Sequence, residues 1–118
     1  MDAKDTKTID ASDRTLGRVA SEAAHFLMGK NSAKFERHVY SGLTVKVLNA
    51  SKLRITRKKL AEIFHTQYSG MPGGLHITSG SQTVLKKGYK ELVRLAIYQM
   101  LPGNKLRRKM MKNLKIED

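Results

Sequence analysis

The sequence has no cysteine, no tryptophan and two prolines in 118 residues, and only 10 of its side chains are acidic. Without cysteine there is no disulfide, no thiol nucleophile and no Cys-based zinc site. Nothing at the N-terminus has the apolar core of a signal peptide, and no apolar run approaches the ~20 residues that a spanning helix needs. The expectation is a cytoplasmic chain with no membrane segment, in which the glycosylation match at Asn49-Ala50-Ser51 has no meaning. H-E-x-x-H, G-x-S-x-G, a Walker lysine and G-x-G-x-x-G are all missing. The histidines His25, His38, His65 and His76 do not pair at zinc-ligand spacing. Asp10, Asp13, Glu22, Glu36, Glu62 and Glu91 are isolated from one another, so no carboxylate pair is poised to hold Mg²⁺ or to move protons. These absences argue against an enzyme, a metal, a cofactor and a small-molecule substrate.

What the chain does have is positive charge: 23 Lys and Arg give a net charge of +13. The excess is spread out, with 13 basic and 6 acidic residues in 1–59 and 10 and 4 in 60–118, so no detachable tail accounts for it. Such a chain repels itself and usually meets a polyanion, where each neutralised phosphate releases counterions and makes binding salt-sensitive. A membrane surface would also attract the charge, but no lipidation signal accompanies it. Hydrophobic residues make up 40%, and a chain of this length can bury roughly two thirds of its unfolded surface. One domain over residues 1–118 with its own core is expected.

Residues 1–7 read as a polar, mobile tail, and Thr8-Ile9-Asp10 as the start of a strand. Thr15 can cap a helix whose apolar positions Leu16, Val19, Ala20, Ala23, Phe26 and Leu27 recur at helical spacing, with Gly29 as its stop. The β-branched run from Leu43 to Asn49 predicts a buried or half-buried strand. Leu53-Arg54-Ile55 is a short strand candidate, Arg57 to Ala61 a helical turn, and Ile63 to Tyr68 a further strand. Ser69 to Gly74 is a break, followed by a loop-like segment through Gly80. A helix from Tyr89 ends at Leu101-Pro102-Gly103. Asn104 then caps a basic helix over residues 104–116, in which Leu106, Met110 and Leu114 share an apolar stripe that packs on the domain or on a neighbouring protein. Alternating strands and helices favour a small layered α/β fold.

Three basic groupings stand out: Lys30/Lys34/Arg37/His38, Lys52/Arg54/Arg57/Lys58/Lys59, and the terminal helix. Each alone can be a solvated face, but together in so short a chain they imply phosphate on several sides, as for a protein embedded in folded RNA. Aromatics are 6% of the chain, without a consecutive stacking platform. Tyr40, Phe64, Tyr68, His65 and His76 are candidates for contact with bases, with a place in the core as the alternative preferred for Phe64. The glycines of the 70–74 loop can let backbone N–H groups approach a phosphate, or can simply make a turn.

Several segments, in order, resemble the bacterial L thirteen family of large-subunit ribosomal proteins. They are Ile9-Asp10-Ala11 with Thr15 to Ala20, Gly29-Lys30, Val47 to Ala50, Tyr68 to Leu75, Met100 to Leu106 and the ending from Arg107 to Ile116. The chain departs from the family's pattern at Leu43, at Arg57-Lys58 and from Ser79 to Lys87. The resemblance implies a three-layer α/β/α fold around a mainly parallel four-stranded sheet. It also implies direct binding of 23S rRNA early in large-subunit assembly, proximity to ribosomal neighbours of the L three and L twenty families, and, for some members, regulation of their own mRNA. A free mRNA-binding regulator is the alternative from a different class. On the ribosomal reading Arg18, Lys30, Lys34, Arg37, Lys58, Lys59, Lys105, Arg107, Arg108 and Lys109 neutralise phosphates, while the loop carrying Gly70, Gly73 and Gly74 brings backbone close to RNA.

Overall fold

A computed structural model describes residues 6–30, 33, 36, 38, 40 and 42–118. The first strand, β1 (Thr6–Asp10), includes Thr6 and Lys7 from the expected tail, of which residues 1–5 lie outside the described residues. The first helix, α1 (Leu16–Met28), buries Leu16, Val19, Ala20, Ala23 and Leu27 of the stripe that the spacing predicts, and Ala24 besides, while Phe26 is only partly buried. Each larger side chain in such a stripe contributes roughly 1.5–3 kcal/mol by leaving water. The helix stops at Gly29, whose φ of 80° is left-handed; the N–H groups of Gly29 and Lys30 reach back to the carbonyls of Phe26 and His25. Thr15 stands at the N-cap with an extended backbone, but its side chain makes no capping bond.

The β-branched run forms β2 (Thr44–Leu48), which pairs parallel with β1 from Thr6↔Thr44 to Asp10↔Leu48. A 3-10 turn, Ala50–Lys52, follows, and Leu53 to Ile55 is not a strand. The reason is local: Asp13 N–H donates to the Lys52 carbonyl and Arg54 N–H to that of Arg14, so the segment runs beside the turn after β1, not along a sheet edge. Next come α2 (Arg57–Glu62), capped by Thr56 Oγ1 accepting from the Lys59 N–H, and the strand β3 (Phe64–Tyr68).

The expected loop up to Gly80 is instead the strand β4 (Leu75–Ser79), antiparallel to β3, with Phe64 opposite Ser79 and Tyr68 opposite Leu75. Directly after it a helix, α3 (Gly80–Lys87), starts from a capping box: Ser79 Oγ accepts from the Gln82 N–H and Gln82 Oε1 from the Ser79 N–H. The helix α4 (Tyr89–Met100) ends as predicted, and α5 (Leu106–Lys112) follows. The terminal helix does not run to 116, because Leu114–Ile116 is a strand, β5, parallel to β2. β2 offers an open edge there: Val45 N–H donates to the Asn113 carbonyl and Glu117 N–H to that of Val47. Leu114 therefore leaves the helical stripe of Leu106 and Met110 and lies opposite Val45.

Among the described residues the parallel sheet has three strands, in the order β1-β2-β5, not the four that the resemblance implies; β3 and β4 form a separate hairpin. α1 packs on β1, β2 and α4, and Ile9, Val45, Val47, Leu92, Val93 and Ile97 are almost wholly buried in the shared core. The alternate positions Thr8, Lys46 and Lys115 form one row across the three strands and stay exposed or half-exposed. That polar face gives a further helical layer little apolar surface to bury.

Candidate nucleic-acid interface

Arg18 projects from the first turns of α1 and Lys59 from α2, elements far apart in sequence, yet both line one shallow depression with Arg14, His25 and Glu22. Arg14 pairs with Glu22 at 2.7 Å, both about two-fifths exposed, which offsets the one acid of the depression and leaves Arg18 and Lys59 exposed beside it. Lys58 is exposed one residue before Lys59. Arg57, Lys58 and Lys59 fill the first turn of α2, which contains no acid. Arg57 and Lys58 oppose the helix dipole by about 0.3–1 kcal/mol each at a surface, a cost that a bound polyanion would reverse, while Lys59 also falls in the last turn of this short helix. Arg14 and His25 are missing from the sequence-based list because their nearness to Lys59 arises only from packing.

Lys30 is exposed at the exit of α1. Lys34 and Arg37 lie outside the described residues. Lys105, Arg108 and Lys109 are exposed on and just before α5, and Lys109 Nζ stands 5.9 Å from the Tyr40 ring centre. Tyr40 is also tied to the end of α5, its hydroxyl accepting from Asn113 Nδ2. Arg107 differs from its neighbours: its guanidinium lies 3.9 Å from the Tyr98 ring centre and donates to the Tyr98 hydroxyl at 2.8 Å, so part of its capacity is spent inside the protein.

The glycine loop is a tight hairpin tip. Gly70 and Gly73 have φ of 86° and 75°, and the N–H of Gly74 donates to the Met71 carbonyl while that of Ser69 donates to the Gly74 carbonyl. A Cβ on Gly74 would fall 1.9 Å from Ser69 Oγ and 3.0 Å from the Met71 carbonyl, so close approach requires glycine there. The turn-making role is therefore explicit, and the Gly74 amide is committed to it. Phe64, expected in the core, is 59% exposed.

Between the hairpin and α3 and α4 is a cavity of about 510 Å³, lined by His65, Gln67, Thr83, Lys86, Lys87 and Arg94 among others. Arg94 is a bidentate partner of Glu91, at 2.9 and 2.6 Å, and this pairing holds the Glu91 carboxyl below its usual pKa and raises Arg94. Lys86 and Lys87 escaped the sequence-based groupings because α3 itself was not foreseen. Elsewhere Asp10 accepts from Asn49 Nδ2 at 3.0 Å and from the Ser12 N–H at 2.9 Å. Those two bonds, the Asn49 one foremost, hold its carboxyl below the ordinary range. Among the described residues no three His, Asp or Glu side chains gather to hold a metal, and no helix is long and apolar enough to cross a membrane.

Known proteins are similar to this sequence over nearly all of its length. The family described as Ribosomal protein L13 matches residues 4–116. The Large ribosomal subunit protein uL13 of Natranaerobius thermophilus is 45% identical over 109 residues, 92% of this chain and 76% of that protein. The protein of the same name from Pelobacter propionicus is 43% identical over 113 residues, 96% of this chain and 79% of its own length. That of Cutibacterium acnes is 42% identical over 108 residues, 92% and 73% respectively.

Proposed function

Since the chain belongs to the ribosomal protein L13 family, we propose that it is a non-catalytic constituent of the large ribosomal subunit that binds 23S rRNA directly and supports early subunit assembly. The observation that carries this reading is the basic depression between α1 and α2, where Arg18 and Lys59 converge beside a helix whose first turn is entirely cationic. In the free protein three adjacent cations only repel one another, whereas RNA phosphates would turn each of them into a favourable contact.

Arg18, Lys30, Lys58, Lys59, Lys105, Arg108 and Lys109 are the proposed phosphate ligands, with Arg107 a weaker one because Tyr98 shares it. Lys34 and Arg37 belong to the same proposal on sequence grounds. Arginine forks bind phosphate bidentately, and lysine acts as a point charge. Gly70, Gly73 and Gly74 belong to the same proposal by shaping the hairpin tip whose backbone comes close to RNA. Neighbouring large-subunit proteins are the expected further partners, and the working place is the cytoplasmic ribosome.

Sedimentation of cell lysate through a sucrose gradient in moderately high salt tests the reading. Stoichiometric retention in the large subunit is expected. Release into the light fractions would overturn it and favour a regulator that binds mRNA.

A further inference from the structure

The cavity between the β3–β4 hairpin and the helices α3 and α4 carries more than contacts to phosphate require. Three kinds of group line it. Lys86 and Lys87 are exposed at the end of α3, and among the described residues no carboxylate pairs with either, whereas Arg94 is taken up by Glu91. Phe64, 59% exposed, and Tyr98 add two aromatic rings, and Thr66, Thr78 and Gln99 add donors and acceptors. The volume of about 510 Å³ lies within the roughly 300–1,000 Å³ of pockets that enclose one small organic ligand. The Tyr98 ring is held from outside the cavity: the Arg107 guanidinium lies 3.9 Å from its centre and donates to its hydroxyl at 2.8 Å, which fixes the ring before anything binds. His65 holds an unused donor. Gln99 Nε2 can only donate, so its 3.3 Å bond to His65 Nδ1 leaves the proton of the neutral ring on Nε2, and that nitrogen is buried without a hydrogen-bond partner. A buried donor without an acceptor is a cost that the free protein carries, and an acceptor brought in beside it removes that cost.

The combination of groups selects the occupant. An inorganic anion would engage the lysines and leave the rings and the His65 donor unused. An apolar peptide would strand both lysines, and an acidic one would bring carboxylates but no flat ring for Phe64 and Tyr98. A nucleotide answers all three: a phosphate for Lys86 and Lys87, a planar base for the aromatic rings, and ring nitrogens or carbonyls for the His65 donor. A base inside a duplex keeps its faces stacked and its edge paired, so the occupant has to be unpaired. We propose that this cavity receives one unpaired nucleotide of rRNA, turned out of its stack, with its base between the hairpin and α4 and its phosphate on Lys86 and Lys87. The inference rests on the proposed ribosomal role and adds a base-reading site to phosphate contacts that carry no sequence information.

The test is photo-cross-linking in purified large subunits carrying the full chain with p-azidophenylalanine in place of Tyr98 or, in a second variant that leaves the interior untouched, of the exposed Phe64. Reverse-transcription stops map the attachment points. The result expected is that both positions attach to one and the same unpaired nucleotide of rRNA. In subunits with Tyr98 and Phe64 intact, acylation of the 2′-hydroxyl of that nucleotide should rise at least threefold when Lys86→Ala and Lys87→Ala are combined. Attachment only to protein, to base-paired nucleotides or to different nucleotides from the two positions would overturn the proposal, as would no attachment to rRNA from either or unchanged acylation in the double variant. The cross-link map decides even where the double variant fails to enter the subunit. Absence of the unmodified chain from the large subunit would instead overturn the ribosomal role itself, so the two failures are distinguishable.

Discussion

Asp10 closes the end of β1 against the start of the 3-10 turn: Asn49, held at a left-handed φ of 58°, donates to it across a sequence gap of 39 residues. Both residues lie in segments that carry the family resemblance, and in the fold they meet. Because the Asn49 and Ser12 hydrogen bonds favour the ionised carboxylate, the folded pKa lies below the ordinary 3.8. The associated stability is complete above that ordinary value and is lost as pH falls through the lowered one. Urea midpoints of the wild type and Asp10→Asn, compared from about pH 7 to about pH 2, should therefore converge as the pH drops. A gap independent of pH would show that the carboxylate contributes nothing. Gly80 gives a second test at this scale. A Cβ there would fall 2.7 Å from the Leu60 carbonyl and 3.3 Å from Ile63 Cβ, and a backbone oxygen cannot rotate away. Gly80→Ala should cost about 1–3 kcal/mol in urea unfolding, as overpacked interiors do.

At the level of elements, what decided legibility was whether a segment's partner was local. α1, β2 and α4 were readable because a helical stripe or a β-branched run states its own burial. β4 and α3 were not, because Leu75 to Ser79 is a short alternation with only two large apolar residues directly after a glycine-rich break, and a glycine opens α3. Ser79 and Gln82 carry the spacing of a capping box and form one, whereas Thr15 has the residue type of a cap and makes no capping bond. The two helix starts should thus respond differently to the same substitution. Ser79→Ala should destabilise by about 1 kcal/mol and Thr15→Ala by less than about 0.5 kcal/mol, measured by urea unfolding. Equal effects would mean that α3 does not depend on its cap. β5 was hidden for a different reason: Leu114 continues the four-residue spacing of Leu106 and Met110, and only the open edge of β2 draws it into a strand.

As a whole molecule the chain is a slab of 43 × 37 × 18 Å with a radius of gyration of 15.1 Å, against roughly 13.5 Å for a compact domain of this length. Most basic side chains of the described residues lie at the surface, so composition alone made a strongly basic exterior legible; their grouping depended on packing and was not. Arg18 and Lys59 became neighbours through the docking of α1 and α2, and Arg107 turned out to be shared with Tyr98. Salt dependence of binding to 23S rRNA separates these roles. Each lost phosphate contact should lower the slope of log affinity against log salt by about one. Arg18→Ala combined with Lys59→Ala should therefore lower it by about two, Arg107→Ala by less than one, and Gln67→Ala in the uncharged hairpin not at all. Circular dichroism of each variant confirms that the fold is retained. If the double variant bound with the wild-type slope, the depression between α1 and α2 would not be where phosphate sits, and the exposed cations of α5 would become the primary contact.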